Sequence, residues 1–226
     1  MPSRLKRTSS RTAPAPTSRS ALPPPPKLPP QRLTRADLPV GTVAMARALI
    51  GKLLVRERDG ETLIARIVET EAYHAEDPAS HAYRGQTARN RAMFGPHLYA
   101  YVYFIYGANW CLNISSEAEG IGAAVLIRAA QPVQGETTMR GLRGRPELRD
   151  RELARGPGNL CRALGIGPDL DGADLEGDRR LWLADDGLVL PVGTSVRIGL
   201  TKAADRELRF YARGNLSVSG PRALSP

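Results

Sequence analysis

Cysteine is scarce in this 226-residue chain, with only Cys111 and Cys161 present. Two thiols cannot build a disulfide framework or a four-cysteine zinc site, and they read as small apolar side chains of a reducing compartment. Long apolar runs are missing as well. None approaches the roughly 18–20 residues that span a bilayer, which excludes a membrane-spanning helix. Aromatic residues make up only 5% of the chain. Acidic residues are absent from positions 1–35, a stretch with eight basic residues and nine of the 19 prolines. Large apolar side chains are nearly absent there too. Such a segment cannot bury enough surface to offset its ordering entropy, so a disordered basic tail is expected.

The tail has no apolar stretch of roughly 7–15 residues, so it does not read as a secretory signal. It reads as a basic arm for a polyanion, or as an inert extension. An organellar transit peptide shares its composition, but the block Pro23–Pro26 spoils the amphipathic helix of such a peptide. The formal charge of +9 belongs mostly to this tail, because residues 36–226 hold 24 basic and 23 acidic residues. Charge alone therefore does not make the remainder a nucleic-acid binder. Hydrophobic residues at 42% supply a real core and exclude a wholly disordered or collagen-like chain.

Beyond residue 35 strands dominate. Residues 43–50 (VAMARALI) have helical spacing of apolar positions and stop at Gly51. Residues 52–57 and 62–73 read as two strands around the Asp59-Gly60 turn. Residues 98–106 are aromatic and continuous, which predicts a strand buried on both faces and ended by Gly107. Residues 111–116 and 123–130 are further strands. Residues 134–165 are Arg-rich and helical in propensity, with a GPGN break at 156–159. Their arginines read either as phosphate contacts or as a solvated helical face. Residues 181–186, 195–200 and 208–214 return to short strands. Helices grouped together, rather than alternating with strands, argue for α+β and against a doubly wound sheet. We expect a single domain over 36–226, built on a curved, mainly antiparallel β-sheet with peripheral helices.

On a strand, Ile67, Glu69, Glu71 and Tyr73 share one face. Two carboxylates and a phenol at a strand end form a candidate site, with a solvated sheet edge as the plain alternative. Periodicity does not separate Glu69 from Glu71. The following polar loop is dense in His, Arg and Asn, in the manner of functional loops. His74, Asp77 and His81 match no familiar zinc or iron spacing, and no metal is expected. Tyr99, Tyr101 and Tyr103 share a strand face, while Tyr106 falls on the other face at the strand's end. They read as core packing, or as a stacking surface for planar ligands with a wedge at the turn.

Several runs follow one order over residues 40–215: RIVETEAY (66–73), His81, QTARNRAMFG (86–95), YVYFIYG (101–107), CLNISS (111–116), VLIRA (125–129) and GPGNLCRALGI (156–166). RIG (197–199) and LRFYARG (208–214) complete it. This order closely resembles the alkyladenine, or 3-methyladenine, DNA glycosylase family of monofunctional base-excision enzymes. The resemblance implies that Glu71 is the general base that activates a water. It implies that Arg128 helps to hold that water and the nearby phosphate region. Tyr106 is implied as the residue that enters the duplex where the nucleotide left. Tyr73 and Tyr103 are implied to stack on the flipped base, His81 to meet its edge, and Asn113 to close one side against guanine's exocyclic amine. A main-chain carbonyl near Ile198 is implied as a further water ligand.

The implied reaction makes chemical sense of these residues. A base inside a duplex must be extruded before it can be reached. A carboxylate can then take a proton from water and stabilise positive charge on the sugar. Tyrosine faces attract cationic alkylated purines. A lyase needs an amine nucleophile, and Lys52 and Lys202, the only lysines after residue 35, lie outside the motifs. The expected activity is therefore hydrolysis at 3-methyladenine, 7-methylguanine, hypoxanthine or ethenoadenine in double-stranded DNA, leaving an abasic site. No cofactor is expected, and the protein is expected to be a monomer, cytoplasmic and DNA-associated. The competing readings are a non-catalytic lesion-binding protein of the same fold, a metal-dependent hydrolase using His74, Asp77 and His81, and a basic RNA-binding module.

Overall fold

Two largely buried runs on either side of Asp59-Gly60 build a long hairpin, and the rest of the sheet grows from it. The computed structural model describes residues 30–105 and 107–225, so residues 1–29 of the expected tail and Tyr106 lie outside the described residues. In chain order the elements are β1 (Gln31–Arg32), α1 (Thr42–Ala48), β2 (Leu53–Arg58), β3 (Glu61–Tyr73), β4 (Ala100–Ile105), β5 (Asn109–Ser115) and β6 (Ala124–Gln134). Then follow α2 (Glu136–Arg143), α3 (Asp150–Leu153), α4 (Pro157–Ala163), β7 (Leu181–Asp185), β8 (Val192–Ser195) and β9 (Arg209–Ala212). Asp59 and Gly60 have φ of 51° and 81°, the left-handed pair that a two-residue hairpin turn requires.

The strands form one sheet in the order β1-β7-β2-β3-β6-β5-β4, with the β8–β9 hairpin attached to β3. Every pairing is antiparallel. The sheet is thus the α+β arrangement expected from grouped helices. β3 is its spine. Its first half pairs with β2, its second half pairs with β9 over Glu69–Glu71, and β6 runs along most of its length. Three register slips interrupt β3–β6, one between Ile64 and Ala65 and two nearer the strand's end, where Ile67 faces Ala130, Glu69 faces Ala129 and Thr70 faces Ile127. Val68 is therefore an extra residue on β3, and Arg128 an extra residue on β6. Such bulges re-aim side chains, often beside active sites.

The main core joins Met45 of α1, Met139 of α2 and Leu160 of α4 to Ile67, Ile114 and Ile127 of the sheet. A smaller cluster of Ala82, Ala92, Met93, Tyr101 and Ala124 anchors the polar loop against β4 and β6. Helix α1 starts at Thr42, whose N–H and hydroxyl both donate to Glu117 at 2.8 Å. An acid at a helix start satisfies an orphan N–H and complements the dipole. Cys111 and Cys161 are both buried and unpaired. No helix of the described residues is long and apolar enough to cross a membrane.

Three local expectations change. Residues 31–35, assigned to the tail, belong to the fold: β1 pairs with β7, Leu33 is buried, and Arg35 bridges Asp174 and Glu176. Composition misplaced that boundary because one buried leucine and a two-residue strand leave no periodic signal. The strand expected over 98–106 is buried only at its start, and Phe104 is exposed. The strand expected over 195–200 ends at Ser195, and residues 196–200 form an irregular segment that reaches the β3 carboxylates instead.

Candidate active site

A cavity of about 410 Å³ opens beside the end of β3. Glu71, Tyr73, His81, Tyr103, Asn113 and Arg128 all line it. β3 supplies Glu71 and Tyr73, β4 supplies Tyr103, β5 supplies Asn113, β6 supplies Arg128 and the polar loop supplies His81. The structure thus brings together six of the seven side chains singled out from the sequence. The seventh, Tyr106, lies outside the described residues.

The two glutamates of β3 are both fully buried, yet they do different work. Glu69 Oε1 accepts from Arg209 Nε at 2.6 Å and Arg128 Nε at 3.0 Å. Its Oε2 accepts the Ser219 N–H at 2.7 Å. Glu69 is therefore enclosed by protein donors and lines no part of the cavity. Glu71 faces the cavity. Its Oε1 accepts the Ile198 N–H at 2.8 Å and lies 3.4 Å from Arg128 Nη1, and its Oε2 accepts the Tyr73 hydroxyl at 2.8 Å. Arg128, in its bulge, spans both carboxylates. A charge this deep needs such partners, since an uncompensated one costs several kcal/mol, on the order of the net stability of a domain. Each carboxylate oxygen has two acceptor directions, so Glu71 keeps capacity for a water.

Aromatic rings form the walls. Burial, and then the Glu71 carboxylate, push the Tyr73 phenol well above its ordinary pKa, so it stays a donor to Glu71. Arg197 lies over the Tyr73 ring, 4.6 Å from its centroid. The Arg197 guanidinium is itself buried, paired with buried Asp77 and bonded to the Ala72 carbonyl at 2.9 Å. Tyr101 and Tyr103 stack with centroids 5.3 Å apart, and His81 meets Tyr103 edge-on at 4.5 Å. His81 Nδ1 lies 3.0 Å from the Tyr101 hydroxyl. Burial, and then the nearby Arg89, hold His81 below its ordinary pKa. Burial pushes Tyr101 up to about 12 and also raises Tyr103. Asn113 is buried opposite Tyr101 on β5, where its amide points to the Tyr101 carbonyl at 3.4 Å.

Tertiary contacts also supply parts that the sequence did not announce. Asp77 is taken up by Arg197, and among the described residues no three His, Cys, Asp or Glu side chains gather as a metal site. At Ile198 the amide N–H donates to Glu71, a contact the sequence did not announce. Asn109 lines the mouth against Gly158, where a Cβ would fall 2.7 Å from the Asn109 side chain. Glycine is required there for this close approach. Arg197 and Arg209 lay inside quoted motifs, but nothing local marked their partners, which sit 120 and 140 residues away.

This constellation is a buried carboxylate–arginine pair beneath stacked aromatics, sized for a planar ligand. Comparison with known proteins gives it a place. The family model described as methylpurine-DNA glycosylase matches residues 37–216. A protein of Mesorhizobium japonicum is 53% identical over 193 residues, covering 85% of this chain and 92% of its own. One of Paraburkholderia phytofirmans is 45% identical over 200 residues, covering 88% and 92%. One of Methanoculleus marisnigri is 48% identical over 183 residues, covering 79% and 93%. All three are provisionally named 3-methyladenine DNA glycosylases. With four-fifths of its length matched and the cavity intact, the chain belongs to the methylpurine-DNA glycosylase family and is a DNA N-glycosylase of base-excision repair.

Proposed function

We propose that the protein flips alkylated or deaminated purines out of duplex DNA and hydrolyses their N-glycosidic bond with a water activated by Glu71. The observation that supports this most is the cavity-facing Glu71 carboxylate, held by Arg128, the Ile198 amide and the Tyr73 hydroxyl. The flipped base enters between Tyr73 and Tyr103, with His81 at its edge and Asn113 closing one side. Tyr106 fills the space that the base leaves in the duplex. As the C1′–N bond breaks, its electron pair leaves with the base: an alkylated cationic purine departs neutral, and a neutral purine such as hypoxanthine departs as an anion that takes a proton from solvent. The Glu71 carboxylate stabilises the positive charge on the sugar and takes a proton from the water as its oxygen bonds to C1′. Arg128 orients that carboxylate. The products are a free base and an abasic site in the DNA.

Single-turnover base release from a duplex with one hypoxanthine or one ethenoadenine tests this, with hot alkali to reveal abasic sites. Wild type is expected to release base, while Glu71→Gln binds the duplex without releasing it. Release by Glu71→Gln at the wild-type rate would refute the role of Glu71. No release by wild type from these or methylated duplexes would refute the substrate class.

A further inference from the structure

A second cavity, of about 530 Å³, lies between α3 and the C-terminal segment. Arg149, Arg151, Arg155 and Arg222 line it, against one carboxylate, Glu152. That carboxylate is engaged by Arg149, with Nη2 to Oε1 at 2.9 Å and Nε to Oε2 at 3.0 Å. Arg151 and Arg222 pair with no acidic side chain among the described residues. The cavity is therefore strongly cationic and uncompensated.

A further observation gives it direction. Next to this cavity lies a third, of about 440 Å³, which shares Glu152, Arg155, Ser219 and Gly220 and adds Arg143, Leu148 and Asn159. Asn159 follows Gly158, which lines the mouth of the first cavity. A basic track thus runs from the mouth across the start of α4 to the C-terminal segment.

We propose that this track holds the phosphodiester backbone of the DNA strand beyond the flipped nucleotide, with Arg151 and Arg222 each neutralising one phosphate. The half-buried Arg151 and the exposed Arg222, neither held by an acid among the described residues, suit a chain of single charges, and phosphate contacts of this kind position a protein without reading sequence. The proposal rests on the glycosylase reading for its choice of DNA, and its test is made on undamaged duplex so that the two fail separately.

The experiment compares wild type with Arg151→Gln/Arg222→Gln as full chains, measuring duplex affinity against salt. Two lost phosphate contacts lower the slope of log affinity on log salt by about 1.8, so a fourfold rise in salt weakens the variant about 12-fold less than wild type. Single-turnover base release at saturating enzyme is expected to stay at the wild-type rate, because neither arginine touches the first cavity. An unchanged slope overturns the proposal. Stabilisation of wild type but not the variant by inorganic phosphate, with equal slopes, also overturns it and marks a site for a small free anion.

Discussion

Replacing Glu69 with alanine tests the idea that two adjacent buried carboxylates divide scaffold and chemistry between them. Glu69 is fully buried and neutralises Arg209, whose side chain is also fully buried. Removing the carboxylate strands that cation and leaves the Ser219 N–H without its acceptor. Arg209 keeps Ser195 Oγ at 2.7 Å and the carbonyls of Leu224 at 2.9 Å and Ser219 at 3.1 Å, but these are dipoles and cannot cancel its charge. Breaking a buried pair from one side costs about 3–5 kcal/mol. For a domain of this size each kcal/mol moves Tm by about 2–4 °C, so Glu69→Ala should melt about 6–20 °C below wild type. Glu71→Gln provides the control. It keeps an acceptor for the Ile198 N–H and exposes no comparably buried cation, so its urea midpoint should stay near that of wild type while base release is lost. The assay is urea unfolding of both variants beside single-turnover base release. A loss below about 1 kcal/mol in Glu69→Ala would refute the reasoning, since it would mean that Arg209 is solvated or neutralised by another route.

Two other perturbations follow from the same contacts. Tyr73→Phe keeps the ring but removes the donor to Glu71 Oε2, and a hydrogen bond to a charged group is worth enough that base release should slow about ten- to a hundredfold with duplex binding retained; an unchanged rate would mean that the hydroxyl does not orient the carboxylate. His97 is buried with neither ring nitrogen hydrogen-bonded, and burial, then Arg35, lower its pKa below the ordinary 6.5. Its neutral form therefore favours the folded state above pH 6.5, and that contribution is lost as pH falls through the lower folded value. Urea midpoints should drop between about pH 7.5 and about pH 5.5 for wild type and drop less for His97→Met; equal drops would place the acid sensitivity elsewhere.

Much of this protein is local. The hairpin of β2 and β3 is written in two apolar runs and an Asp-Gly turn, and α1 in the apolar spacing of residues 43–50. Six of the site residues were legible because each sits in a short ordered motif. What periodicity does not encode is which carboxylate faces the cavity, and only the resemblance singled out Glu71. Glu69 and Glu71 lie on the same strand two residues apart, and side-chain period alone makes them equivalent. Only the return of the chain separates them: β9 and Ser219 enclose Glu69, while residues 196–200 leave Glu71 at the cavity edge. The chain alone therefore determined the β2–β3 hairpin, the family and the residue types of the candidate chemistry. The tertiary structure decided which acid is enclosed as scaffold and which faces the cavity, because long-range pairing assigns partners that no local pattern contains.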